Sequence, residues 1–438
     1  MQIDQTTLND LSIFQREEDC SIFHYLNFTE TIDGKHYLKQ MLSSPLQEIN
    51  EIIDVQNTIK HFITIQNDLP KIITNGTIMV ITRFYDTAMN HYPQPANAVN
   101  GFAYKMLSSA DFSLTKYSIN HFLNFIKGLQ QIAILLQPSQ SKQIQLWVAK
   151  IEMILAKPKL APLLNEDKKA ADLSNQKMLQ DAAVLRYHFK QDCFELIAIY
   201  SKIDAYLSLA MACQKYHFCF PQFIENDEPF IQLKGLYHLL LATPTSYHLA
   251  LQKEANFLFL TGANMAGKST FIKAVGVAVY LAHLGMGVPA QTMELSLFDG
   301  LLSNIHIMDN IFKNESYFFN EVQRVKNTIQ KISNNQKWLI LIDELFKGTN
   351  IKDAMKCSTT VIEGLQKRNN AVFIVSTHLY EIGEALTQYS NIQFKFFETT
   401  IQNNELVFSY QLKEGISNDR LGYLILEKEG VVDLLKGI

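Results

Sequence analysis

Phe257 to Ala290 read FLFLTGANMAGKSTFIKAVGVAVYLAHLGMGVPA. The first five residues are a short apolar run of strand-forming types, and the part after the loop repeats apolar residues at helical spacing. Between them Gly262 to Ser269 fits G-x-x-x-x-G-K-[ST]. Strand, glycine-framed loop and helix in that order cradle a triphosphate, because successive backbone N–H groups point inward and a side chain at the glycine positions would block the approach. Gly262 and Gly267 supply the room, and Ala263, Asn264, Met265 and Ala266 lie between them. Lys268 can reach the β- and γ-phosphates, Ser269 offers a hydroxyl to Mg²⁺, and Thr270 follows in the helix start, whose partial positive charge favours the anion. Alone, the stretch implies a nucleoside triphosphate with Mg²⁺ and does not name the base.

A second half of such a site lies downstream. Trp338 to Glu344, WLILIDE, is a continuous apolar run, expected as a strand buried on both faces that ends in two acids at the ligand-binding edge of a parallel sheet. Asp343 is placed to hold Mg²⁺, directly or through water, and Glu344 to polarise the attacking water, as a base or by orientation. A third run, Ala371 to Val375 (AVFIV), ends in Ser376, Thr377 and His378, and a histidine at that edge can contact the γ-phosphate. Glu344 and His378 are the candidate catalytic residues. Ser269 and Asp343 are the candidate metal ligands.

These residues resemble the MutS family of DNA mismatch repair, which carries an ABC-type ATPase. The resemblance rests on TGANMAGKST, the helix ending GMGVPA, the acidic strand LIDELFKGTN, and VSTH. The family loop reads TGPNMGGKST, so Asn264 and Met265 match, while Ala263 and Ala266 replace Pro and Gly, small for small. Asp309 to Val322, DNIFKNESYFFNEV, resembles the family's ABC signature, with Ser316, Phe318 and Glu321 in the places of its serine, aromatic and acid. The resemblance implies that Ser316 completes the partner's site, hence a homodimer; an ordinary helix N-cap at Ser316 is compatible with that role. The family's adenine-stacking aromatic falls near Pro244, which leaves Tyr247 as candidate replacement or as a plain core tyrosine. Phe346 and Lys347 stand where a small and a basic residue are usual, and Asn350 replaces a hydroxyl.

A chain of 438 residues exceeds one ordinary core and suggests two or three domains. Residues 1–222 read almost wholly helical. Within them Thr7 to Phe62, with Gly34, Leu42, Pro45, Leu46 and Ile49, resembles the entrance to the MutS core. The phrase around Asp204, at the end of a long helix from Asp172 to Cys213, resembles its returning lever. After an acidic linker, Phe223 to Phe230, the ATPase occupies residues 223–438. The expected architecture is multidomain, an all-α core/lever domain followed by an α/β P-loop ATPase domain of ABC type.

The formal net charge is −4, so DNA contact has to come from a local basic patch. Five scattered cysteines without a C-x-x-C pair fit a reducing compartment. The N-terminus lacks signal-peptide character. The most membrane-like stretch, Phe271 to Ala290, is interrupted by Lys273 and His283 and belongs to the phosphate-loop helix. A cytoplasmic protein without a membrane role is expected.

Set against the resemblance, a chain that opens directly in the core is expected to lack a mismatch-reading domain and connector. The interval between Pro158 and Lys202 is short for a DNA clamp, and no dimerisation tail is expected after Ile438. The expected function is an ATP-driven dimeric switch coupled to DNA, binding it weakly or by structure, beside repair or recombination proteins. The alternative is a DNA-independent protein switch or scaffold. A transporter ATPase is disfavoured because no LSGGQ-like signature is visible.

Overall fold

A computed structural model of the chain describes residues 1–164, 173–305, 317–402, 405–417 and 431–436. The chain opens with strand β1 (Gln2–Ile3) and helices α1 (Gln5–Asp10) and α2 (Ile22–Leu26). Helices α3 (Ile32–Met41), α4 (Ile49–Ile65), α5 (Asn75–Asp86), α6 (Ala98–Leu107) and α7 (Ser109–Leu136) follow. Then come α8 (Lys142–Leu155), α9 (Ala161–Leu164), α10 (Asn175–His188) and α11 (Lys190–Lys215). Strands and helices alternate from there: β2 (Gln222–Phe223), β3 (Ile231–Leu236), β4 (Tyr247–Leu251), β5 (Phe257–Thr261), α12 (Lys268–His283), β6 (Thr292–Leu295), β7 (Gly300–Asn304) and α13 (Tyr317–Lys331). The last elements are β8 (Trp338–Asp343), α14 (Ile351–Leu365), β9 (Ala371–Ser376), α15 (Glu381–Leu386), β10 (Ile392–Gln402), β11 (Glu405–Glu414) and α16 (Val431–Lys436).

The chain forms two units. One comprises Met1–Tyr25, Pro45–Ile52 and Tyr216–Ile438; the other comprises Leu26–Ser44 and Ile53–Lys215. This division by compactness differs from the single cut expected at residue 222. The first 25 residues do not join the helices that follow them, and β1 pairs in parallel with β7, Gln2 opposite Gly300. The reason is polar: the end of β7 presents groups that need partners. Thr7 Oγ accepts from the backbone N–H of Ser303 (2.9 Å), and the buried Asp10 carboxylate accepts from Ser303 Oγ (2.5 Å) and the N–H of Ile305 (3.0 Å). Asp4 adds an ion pair with Arg324 of α13.

In the α/β unit a seven-stranded sheet runs β1-β7-β8-β9-β5-β10-β11, parallel except for the final β10–β11 pair. A four-stranded sheet, β2-β6-β3-β4, accompanies it. Every residue of β5, β8 and β9 is buried, as expected for central parallel strands covered on both faces. On one face Phe259, Ile340 and Phe373 pack with Val325 of α13 and Ile362 of α14. Against the other lies α12, whose Gly276 lets it approach so closely that a Cβ there would sit 2.7 Å from Leu341 and 2.5 Å from Leu11.

Among its described residues the second unit contains helices and no strand. One junction shows how its residues were chosen. The buried Asp204 carboxylate of α11 accepts from the N–H groups of Glu30 and Thr31 and from Thr31 Oγ (3.0, 2.8 and 2.5 Å). Thr31 in turn caps α3 through the N–H of Gly34. A Cβ on Gly34 would lie 2.1 Å from Asp204 Oδ2, so this position tolerates only glycine without rearrangement. Helix α11, at 26 residues, is long and apolar enough to cross a membrane by composition alone, but 78% of its most apolar window is buried inside the unit. It is a core helix. Phe271 to Ala290 covers only the part of the 16-residue α12 from Phe271 to His283 and the residues after it.

Candidate active site

The parallel register brings the three sequence-predicted strand ends together. Leu260 of β5 pairs with Ser376 of β9, and Ser376 pairs with Asp343 of β8, so β9 separates the loop strand from the acidic strand. Just beyond β5, Gly262 (φ +134°), Met265 (φ +68°) and Gly267 (φ +110°) take left-handed backbone conformations and turn the chain into α12. At Gly262 a Cβ would also press to 3.0 Å against the Phe397 carbonyl oxygen. Gly267 stands at the N-cap of α12 without a capping side chain, which leaves the first N–H groups of the helix open toward the cavity.

Lys268 is buried, and its ammonium donates to the carbonyl oxygens of Gly262 (2.7 Å) and Ala263 (2.9 Å). Burial lowers its pKa, opposed by the carboxylates of Glu344 and Asp343. Ser269 Oγ donates to Asp343 Oδ2 (2.5 Å), and Ser376 Oγ donates to the other oxygen, Oδ1. Asp343 is thus gripped from both sides at the junction of loop helix and acidic strand. A serine hydroxyl beside a carboxylate at a phosphate loop is a hard-oxygen set that suits Mg²⁺, which keeps water and phosphate ligands and takes few from the protein. No group of three or more His, Cys, Asp or Glu that could hold a metal by itself occurs among the described residues.

Glu344 follows with φ +61°, its N–H bonded to the Ser376 carbonyl (3.0 Å). Its Oε2 lies 3.0 Å from Lys347 Nζ and 3.8 Å from His378 Nδ1, and His378 is half exposed. Phe318 and Glu321 lie in the first turns of α13, while Ser316 lies outside the described residues. Glu321 is 2% exposed and accepts the N–H groups of Lys347 (3.1 Å) and Gly348 (3.3 Å), and its burial raises its pKa.

A cavity of about 440 Å³ opens over the loop, lined by Ala263, Asn264, Met265, Gly267, Lys268, Ser269, Thr270 and Glu344, and walled by Tyr247 and Tyr410. Ala266 is buried beneath it. Tyr247 is 5% exposed, with the rings of Phe271 and Phe397 set nearly perpendicular to it at 5.3 and 5.8 Å. Tyr410 is 43% exposed. Sequence reading missed Tyr410 and the bridging role of Ser376. The first follows from the β10–β11 hairpin folding back toward the loop, and the second from register; only a paired arrangement of VSTH with LIDE could have signalled it.

Comparison with known proteins places this geometry. The family description "MutS domain V" matches residues 258–433. "DNA mismatch repair protein MutS" of Geobacillus sp. (strain WCH70) is 26% identical over 411 residues, 90% of this chain and 46% of that protein. The protein of the same name from Pseudothermotoga lettingae is 30% identical over 243 residues, 55% of this chain and 29% of that protein. That from Streptococcus pyogenes serotype M5 is 27% identical over 245 residues, 54% of this chain and 28% of its own length. The chain therefore spans less than half the length of these relatives. The loop, the acidic strand and the third strand all lie within the domain V match, and the similarity to MutS proteins extends along most of the chain.

Proposed function

We propose that the chain binds ATP with Mg²⁺ and hydrolyses it, and that the nucleotide state drives a dimeric switch coupled to DNA binding in mismatch repair or recombination. The observation that carries this reading is the Ser269–Asp343 contact, which joins phosphate loop and acidic strand at one point beside Lys268 and Glu344. Lys268 exchanges its bonds to the Gly262 and Ala263 carbonyls for phosphate oxygens, and a phosphate restores the ammonium that burial disfavours. Ser269 and Asp343 would hold Mg²⁺, which when bound would supply charge neutralisation on the phosphates. Glu344, fixed by its N–H at the end of β9, orients or deprotonates the attacking water. His378, exposed beside it, contacts the γ-phosphate. Tyr410 offers the base a ring, whereas Tyr247 supports the wall from within its aromatic cluster.

The test is ATP binding and turnover by the purified chain. Lys268→Ala should abolish nucleotide binding. Glu344→Gln should bind normally and turn over roughly 10²–10⁴-fold more slowly if the carboxylate is the base. Normal hydrolysis by Lys268→Ala would overturn the site. The coupling to DNA has its own measurement: affinity for matched, mismatched and branched duplexes at two salt concentrations, with and without ATP. Binding that weakens with salt and does not discriminate the mismatch is expected. The net charge of −4 favours the second reading, a protein switch without DNA, and no binding at low salt would select it.

A further inference from the structure

The loop that carries Glu344 is bent in a way its own residues do not favour. Glu344 (φ +61°) and Phe346 (φ +59°) both occupy the left-handed region, which side chains with a Cβ rarely adopt. Such a conformation persists only where surrounding contacts over-determine it. Here the contacts come from α13. The Phe346 ring is buried, tilted against Phe318 at 5.7 Å and joined to the core that contains Val325. One residue further on, both carboxylate oxygens of Glu321 are committed to backbone N–H groups, Oε1 to Lys347 and Oε2 to Gly348. Lys347, held in this way, directs its ammonium onto Glu344 Oε2 at 3.0 Å.

We propose that Glu321 is a positioning residue for Glu344: by clamping the backbone of Lys347 and Gly348 to α13 it fixes the strained turn that aims the Glu344 carboxylate at the reacting water. The inference rests on the assignment of Glu344 in the proposed ATPase. Glu321 touches none of the groups that hold the phosphates, so releasing the clamp disorders the attacking side of the site and leaves the binding side intact.

The experiment compares Glu321→Gln and Glu321→Ala, each alone and combined with Glu344→Gln, by ATP turnover and by equilibrium binding of a fluorescent ATP analogue. Glutamine keeps the shape and one acceptor oxygen. Alanine removes both. Turnover should fall about tenfold for Gln and about a hundredfold for Ala, the size of a displacement on the order of 1 Å at a reacting group, with nucleotide affinity unchanged. In the Glu344→Gln background neither substitution should lower the residual turnover further, because the group being positioned is already gone. A loss of affinity in step with turnover, or an equal further loss in the Glu344→Gln background, would make Glu321 a general structural support and overturn the proposal. Normal turnover in both Glu321 variants beside an impaired Glu344→Gln overturns the proposal alone. Normal turnover in Glu344→Gln overturns the parent assignment and the inference with it. If Glu321→Ala does not fold, the near-isosteric Glu321→Gln carries the same comparison.

Discussion

His283, at the last turn of the phosphate-loop helix, is fully buried with both ring nitrogens engaged. The N–H of Phe298 points at Nε2 (3.0 Å), so Nε2 has to be the acceptor, and Nδ1 carries the proton toward the Val279 carbonyl (2.9 Å). A second proton would set N–H against N–H beside the Phe223 and Phe298 rings, and burial, with a smaller push from the Met1 ammonium, pulls the pKa down from 6.5 to about 4. Because the folded value lies below the unfolded one, the unfolded chain binds more protons between them. The stabilisation is complete above about pH 6.5 and is lost as pH falls toward about 4, a total on the order of 3 kcal/mol. Thermal melts should therefore drop steeply on acidification from about pH 7 to 5, and less steeply for His283→Asn. An equal drop in both would refute the assignment. This property was invisible in the sequence, where His283 only interrupts an apolar stretch. Residues whose chemistry is local were legible: Gly262, Lys268, Ser269, Asp343 and Glu344 stand in motifs whose spacing is itself the mechanism. Ser376 and Tyr410 act through register and a hairpin, which one-dimensional spacing does not carry.

Among the elements, the helices α3, α4, α7 and α8 and the strands β5, β8 and β9 could be read from apolar periodicity and from continuous buried runs, whereas the one long helix expected from Asp172 to Cys213 is two, α10 and α11, parted at Phe189. Strand β1 could not: two residues carry no alternation, and its partner lies near residue 300. Gly34 and Asp204 were each singled out by their surroundings in the sequence, and the structure joins them. At that contact an added methyl group meets Asp204 Oδ2, which already accepts from the Thr31 N–H and hydroxyl, in a carboxylate that binds three donors in all. Relief requires the start of α3 to shift and at least one of those bonds to lengthen. Gly34→Ala should destabilise the helical unit by about 1–3 kcal/mol, despite alanine's better helix propensity. Chemical denaturation followed by far-ultraviolet circular dichroism gives the answer, and an unchanged midpoint would show that the junction yields freely.

For the whole molecule, the proposed composite site makes a prediction that no single chain can satisfy. If Ser316 serves the partner's nucleotide, mixing a Ser316→Arg chain with a Lys268→Ala chain restores about one working site per heterodimer. One interface then collects both lesions and the other collects neither. ATP turnover of the mixture above the average of the two separate variants is the expected result; strict averaging would place each site within one subunit.

The pairing of Gln2 with Gly300 also sets an order of events during synthesis. At roughly 5–20 residues per second, the first strand leaves the ribosome on the order of 15–60 seconds before its neighbour exists. Until β7 emerges, Thr7 and Asp10 lack the Ser303 and Ile305 groups they later bind. The α/β unit therefore closes late in translation, after the two helical segments encoded between its three parts have been made.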